Sequence, residues 1–570
     1  MKLSGRCRTL VGTVAVSAIV SCAGCAEPEI AADLVLRNGK IVTVDDAVPD
    51  GEAIAIHGDT ILAVGTDRAI GRYIGRETEV IDLDGQLAIP GFIESHAHFL
   101  GIGSAKMQLN LMPVANWEEI VSMVQASVSD APVGSLIRGR GWHQEKWDRP
   151  PPGNVEGLPT HHTLSAVSPD NPVILRHASG HASFANAKAM EMAGITRATA
   201  DPPGGQIVRD ADGNPIGAFR ETAQRLLNRA AANAEPPDAR REAELAIEEA
   251  LSKGVTSFQD AGSSFADVDL YKRITDDGAM GLRLWVMIRA SNADLAANLA
   301  NYRMVGYGNN HLTVRAIKRT IDGALGSHGA WLLQPYADLT SSSGLNTSPM
   351  AELAATAQLA MEHDFQLCVH AIGDRANREV LDVYERAFPN GNGPSDRRWR
   401  IEHAQHLHPD DIPRFGQLGV IASMQGIHAT SDAPWVVPRL GEQRAREGAY
   451  VWRTLMASSA VVTNGTDAPV EDIDPIASYY ATVSRTTADG SVFYADQRLS
   501  RTEALRTYTI NGAFAAFEED LKGTLTPGKL ADITVLSRDI LTIAEDEIPS
   551  TDVVYTIVGG RVMYRRGNDE

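Results

Sequence analysis

The 570-residue sequence predicts an α/β protein. The expected architecture is a (β/α)8 barrel of the TIM type, a small β-sandwich built from both termini, and an inserted subdomain after the first barrel strand. Three observations predict it. Eight apolar, strand-like runs alternate with helical stretches through the middle of the chain, as a parallel α/β architecture requires. Short strand–turn–strand patterns stand at both ends. The first two apolar runs are separated by residues 99–253, against the roughly two to six residues of an ordinary βα connection.

At the start of the chain, Lys2, Arg6 and Arg8 precede an uncharged, mostly apolar run at 9–21. That run is too short for a bilayer span, which takes roughly 20 apolar residues, and fits the h-region of an export signal. Cys22 and Cys25 follow among small residues, and residues 1–25 resemble a bacterial lipoprotein signal. Ile19-Val20-Ser21 before Cys22 and Ala23-Gly24 before Cys25 both suit lipidation, so either cysteine is a candidate acceptor. The expectation is an exported protein, a periplasmic or cell-envelope lipoprotein that meets the membrane only through this anchor. A secreted protein with a cleaved signal is the alternative. No later run is long enough to span a bilayer.

Residues 33–88 and 516–567 are the expected halves of the sandwich. LVLRNGKIVTV at 34–44 reads as strand, Asn-Gly turn, strand, and VVYTIVGGRVMY at 553–564 repeats the pattern around Gly559-Gly560. Strands at 53–56 and 60–64 flank a His-Gly-Asp turn, and DITVL at 532–536 is a further strand. The barrel is expected over 89–515, with strands at 87–98, 254–260, 282–290, 314–322, 366–374, 399–404, 420–425 and 460–467. Helical segments such as 238–252 and 350–363 lie between them. The insertion, at about 135–235, has its own strand-like runs at 135–139 and 172–177 and a hairpin signal at 204–208.

Composition removes several function classes. With 52 basic against 72 acidic residues the net charge is −20, which argues against a binder of nucleic-acid phosphates. Beyond Cys25 the only cysteine is Cys368, so no internal disulfide can form there, and the thiol reads as a core residue.

The chemistry-bearing residues stand at strand ends. PGFIESHAH at 90–98 closes an apolar strand with His96 and His98, and the two-residue period places both imidazoles on one face. At the C-terminal end of a barrel that face looks into the active site, where paired neutral imidazoles chelate a divalent metal. Lys318, His370, His403 and Asp467 cap later strands. Lys318 shares a strand face with Thr320 and Asp322, and an inward lysine is costly unless paired, with Asp322 for instance, or chemically changed. In the insertion, Trp142 and Trp147 of GWHQEKW suit an apolar wall or an ordinary core, and His181 of SGHASFAN suits a substrate or oxyanion contact. His328, His428 and Asp322 are further candidates for contact with a small-molecule substrate.

Together these motifs, with IKRTIDGALGS, VHAIGDRAN, RIEHAQ, NGTDAPV and GTLTPGKLADITVL, resemble the amidohydrolase superfamily. Within it they are similar to the family 3 branch of YtcJ-like and N-substituted formamide deformylase-like proteins, over residues 33 to 567. The resemblance implies one or two divalent metal ions, zinc first among them, held by His96, His98, Lys318, His370, His403 and Asp467. It implies that Lys318 can be carboxylated so that one carbamate bridges two metals. Without carboxylation, a one-metal site of His96, His98, His370 and Asp467 remains, with His403 steadying the transition state. Gly465-Thr466-Asp467 and Met424-Gln425-Gly426 depart from the common Gly-Ser-Asp and Met-Gln-Pro, and neither change removes a ligand. The implied function is metal-dependent hydrolysis of a non-peptide, amide-type C–N bond, with zinc-activated hydroxide as nucleophile and Asp467 as proton shuttle. Hydrolysis of esters or cyclic amides on the same site is the alternative, as is an inactive, lipid-anchored metal or solute binder. A homo-oligomer is compatible with all of these.

Overall fold

The computed structural model describes residues 30–567 apart from 233, 235–237 and 389–395. The signal segment 1–25, with Cys22 and Cys25, lies outside the described residues. Eight strands run parallel in one sheet: β1 (Phe92–Ala97), β2 (Val255–Ser263), β3 (Arg283–Ile288), β4 (Leu312–Thr320), β5 (Gln366–Ala371), β6 (Arg400–His403), β7 (Ile421–Gln425) and β8 (Val462–Gly465). Each pairs with the next in chain order, as in Lys318 beside Cys368 and Ala371 beside His403. The ring closes at its C-terminal rim. The Asp467 N–H donates to the His96 carbonyl and the His98 N–H to the Ala468 carbonyl, both at 2.8 Å.

A side chain reinforces this seam. The buried Glu94 carboxylate accepts from the Thr466 N–H at 2.9 and 3.1 Å, from its hydroxyl at 2.9 Å and from the His96 N–H at 3.1 Å. Gly465 leaves the room it needs, since a Cβ there would stand 2.2 Å from the Glu94 Oε1. Inside the ring, Ala261, Trp285, Met287, Ala316 and Cys368 form a small core, and Cys368 is the buried free thiol its sequence context predicts. Helices cover the outside. Ala239–Ser252 is capped by the Asp238 carboxylate on the Arg241 N–H, and it buries Ala243, Ala246, Ile247 and Ala250 at helical spacing.

Two sheets form the body beside the barrel. One orders Thr60–Gly65, Ala53–His57, Leu34–Arg37 and Glu79–Asp82; the other orders Lys40–Ile41, Leu87–Pro90, Ile533–Leu536, Val553–Val558 and Arg561–Arg565. Leu34, Leu36, Ile54, Ile56, Ala88, Ile533, Val535 and Ile557 from both sheets share one core. Two sequence expectations are corrected here. The Asn38-Gly39 turn does not close a hairpin: Leu34–Arg37 and Lys40–Ile41 sit in different sheets, so the turn crosses the sandwich. The run at 87–98 is two strands. Leu87–Pro90 pairs with Ile533–Leu536, and the barrel begins after Gly91, where a Cβ would stand 2.1 Å from Thr256.

The insertion builds a six-stranded sheet, ordered Gly205–Arg209, Pro215–Glu221, Ala182–Ala185, Val173–His177, Ile137–Trp142 and Leu109–Asn110. It begins earlier than expected. The helix Trp117–Asp130 packs Trp117, Ile120 and Val124 onto this sheet, so residues 109–134 belong to the insertion as well. Among the described residues no helix is long and apolar enough to cross a membrane.

Candidate metal centre

The strand ends bring the predicted histidines to one place. His98 Nε2 lies 3.1 Å and His96 Nε2 3.6 Å from Asp467 Oδ1. The ring of His403 stands 4.6 Å from that of His96 and 4.5 Å from that of His370. Lys318 Nζ is 3.4 Å from His96 Nε2. Thus all six residues carried over as metal ligands converge. Backbone conformation contributes: His403 and Asp467 have φ of +77° and +57°, a region costly for residues with a Cβ and concentrated at functional sites. At His403 this turn breaks the alternation of β6, in which Arg400 and Glu402 share one face.

Two of the imidazoles are held by their other nitrogen. His96 Nδ1 donates in a short hydrogen bond to Glu402, which sequence reasoning had passed over. Arg400 fixes that carboxylate through Nε at 2.7 Å, and it also donates to the Ser95 carbonyl at 2.6 Å and to Ser423 at 2.7 Å. Gln425 Oε1 accepts from His403 Nδ1 at 2.7 Å. Both arrangements leave Nε2 as a lone pair facing the centre, the orientation that ligand histidines take.

Burial and neighbouring charge set the protonation states. Burial, aided by the Lys318 charge, pulls His96 down to about 4. His370 and His403 are pushed well below the ordinary imidazole value by burial and by neighbouring imidazoles. Burial also depresses the Lys318 amine, to about 8. It works against Asp467, but the hydrogen bond from His98 and the surrounding imidazoles hold that carboxyl well below its usual range. Burial would likewise raise Glu402, and Arg400 outweighs it.

These donors fit a divalent cation. The ligand atoms of His96, His98 and Asp467 lie within 4.8 Å of one another, as do those of His403, His428 and Asp467. Nε2 of His370 is buried and makes no hydrogen bond among the described residues, a costly arrangement unless something binds there.

A cavity opens above this cluster, lined by His181, His370, His403, His428 and Asp467 among others. His181 Nδ1 donates to Glu221 at 2.8 Å, and its ring lies 4.9 Å from that of His370. Burial opposes its protonation, yet Glu221 raises its pKa overall. His428 Nδ1 meets the Gln405 amide at 3.0 Å.

Three expected substrate contacts are not in the cavity wall. Trp142 is fully buried in the insertion core, with its indole N–H donating to the Leu175 carbonyl at 3.0 Å; Trp147 packs beside it. Asp322 does not pair with Lys318. Its carboxyl group accepts from the N–H groups of Trp331 (2.9 Å), Ile372 (3.0 Å) and Gly373 (2.8 Å), its Oδ1 stands 3.5 Å from His370 Nε2, and burial raises it to about 7. His328 turns to Asp338 at 3.2 Å and packs on Tyr336. In GWHQEKW the residues lining the cavity are His143 and Lys146, between the tryptophans; the His143 ring stacks on Trp435 at 4.6 Å. Its position between two aromatics had been the available signal.

The profile of the amidohydrolase family matches residues 79–564. Protein LONG AFTER FAR-RED 3 of Arabidopsis thaliana is 34% identical over 548 residues, covering 94% of this chain and 92% of its own. N-substituted formamide deformylase of Arthrobacter pascens is 28% identical over 548 residues, 94% of this chain and 98% of its own. An uncharacterized metal-dependent hydrolase from Pyrococcus horikoshii superimposes with a TM-score of 0.72 at 25% identity, over 90% of this chain and 99% of that one.

Proposed function

This chain belongs to the amidohydrolase family and is a hydrolase, and from that premise we propose that it cleaves a non-peptide, amide-type C–N bond in a small molecule. The observation that carries the proposal is the convergence of neutral imidazoles from β1, β5 and β6 on Asp467, with the nearby His370 Nε2 buried and making no hydrogen bond among the described residues. A divalent ion, zinc by this reading, held by His96, His98, His370 and Asp467, would polarise the carbonyl and lower the pKa of a water at the site. Asp467, ionised by its imidazole neighbours, takes the water's proton and delivers it to the leaving nitrogen. His181, oriented by Glu221, donates a hydrogen bond to the oxygen on which negative charge develops. Glu402, Arg400 and Gln425 hold the imidazoles in the binding tautomer.

Lys318 has the environment that a carbamate needs. Burial favours the neutral amine, whose nitrogen adds carbon dioxide and loses a proton, and the resulting anion offsets metal charge beside His96. The similarity to a formamide deformylase supports an amide-type substrate. Export and lipidation at Cys22 or Cys25 are further proposals, resting on sequence alone.

The test uses the purified, zinc-loaded chain against N-substituted formamides, N-acylated amino compounds and lactones. Hydrolysis of C–N substrates that disappears on chelation and returns with zinc is the expected result. Activity that resists metal stripping, or that is confined to lactones, would overturn the assignment.

A further inference from the structure

Away from the histidine cluster, the same cavity holds a pair of N–H groups with nothing to donate to. Trp435 lines the cavity and is 3% exposed, yet its indole Nε1 makes no hydrogen bond among the described residues. An unpaired buried donor of this kind is costly unless a ligand meets it. His143 stacks on the same ring. Its Nδ1 accepts the Glu145 N–H at 3.3 Å, which leaves the ring proton on Nε2. Both nitrogens lie close to one point, beside the Cα of Gly326, which carries no side chain. A Cβ there would stand 3.3 Å from Trp435 Nε1 and 3.5 Å from His143 Nε2.

The three residues come from three elements: the loop after β4, the helix Gly426–Leu440 and the end of the insertion strand Ile137–Trp142. One buried arginine ties them together. Arg439 donates to the Gly326 carbonyl at 3.1 Å and to Glu145 Oε1 at 2.7 Å, and it pairs with Asp338. The cradle is therefore built before any ligand arrives, which reduces the ordering cost of binding.

We propose that Trp435 Nε1–H and His143 Nε2–H form a specificity subsite over Gly326 for an acceptor oxygen carried by the substrate away from its scissile bond. The preferred substrate on this account is an amide whose substituent bears a carbonyl or similar oxygen. This rests on the hydrolase assignment above for its turnover readout, and on geometry alone for its binding readout.

The experiment compares N-benzylformamide with its 3- and 4-acetyl derivatives on the zinc-loaded enzyme. In parallel, the corresponding amines are titrated calorimetrically. Wild type should favour one acetyl derivative by about tenfold in KM and in Kd, the scale of one to two neutral hydrogen bonds. Gly326→Ala, which fills the cradle without entering backbone, and Trp435→Phe, which keeps the ring, should each bring that ratio close to one. A preference that survives in both variants, or no preference in wild type by either readout, would refute the subsite. Turnover without preference sinks the subsite alone. Preference in binding with no turnover of any formamide leaves the subsite standing and counts against formamides as the substrate class.

Discussion

The ligand histidines work because of residues that do not touch the centre. His96 is a neutral donor only while Glu402 takes its Nδ1 proton, and Glu402 stays ionised in full burial only because Arg400 lies against it. Replacing Glu402 by Gln keeps the volume but removes the charge that orients the ring. Loss of such a partner typically weakens metal binding by about 10–100-fold. Glu402→Gln should therefore lose zinc affinity on that scale in a chelator-competition titration, and unaltered affinity would show that the contact is merely structural. This partner was not legible in RIEHAQ. The carboxylate is one position from His403, and strand alternation puts neighbours on opposite faces; only the φ of +77° at His403 brings both to the site. His96, His98, His370 and Asp467 were legible because polar groups at the ends of apolar strands have few structural uses. The same reasoning misplaced Asp322 and His328, whose hydrogen-bond partners are backbone N–H groups and Asp338 in the same loop.

At the scale of elements, the barrel strands could be read because parallel strands buried on both faces are nearly continuous apolar runs. The break at Gly91 could not, since hydrophobicity continues from sandwich to barrel and only the steric limit against Thr256 marks the crossing. The start of the insertion was obscured because Leu109–Asn110 is too short to register as a strand. The seam between β1 and β8 is likewise a side-chain device. Its backbone bonds lie at the rim, and Glu94 carries the pairing just below it, through Thr466. Glu94→Ala removes acceptors for the Thr466 and His96 N–H groups and leaves a void beside Gly465. Buried donors left unpaired cost about 1–3 kcal/mol each. Since Asp467 follows Thr466 directly, the variant should unfold earlier in denaturant and also lose kcat, with the metal ligands themselves untouched. A variant as active and as stable as wild type would show that the ring closes without Glu94.

The whole molecule depends on how the sandwich is fastened to the barrel. Arg283 at the start of β3 and Asp532 just before Ile533–Leu536 form a two-pronged pair, 2.6 and 2.9 Å, with both side chains buried. Asp532 also accepts the Gly559 N–H at 2.9 Å, so one carboxylate joins the barrel, the central sandwich strand and the C-terminal hairpin. Burial would raise this carboxyl, but Arg283 and the hydrogen bonds outweigh it and hold it below the ordinary 3.8. A carboxyl whose pKa is lower folded than unfolded contributes stability that is complete above the unfolded value and lost as pH falls through the folded one. The fastening should thus be intact at neutral pH and weaken only below about pH 4, where unfolded chains begin to bind the proton. Asp532→Asn, which leaves the Arg283 charge buried and uncompensated, should cost about 3–5 kcal/mol at pH 7. Thermal unfolding of wild type and variant at pH 7 and pH 3 measures this directly. The gap between them should narrow at pH 3, as the unfolded wild-type chain takes up the proton, and a gap of equal size at both values would show that packing, not this ion pair, holds the sandwich in place.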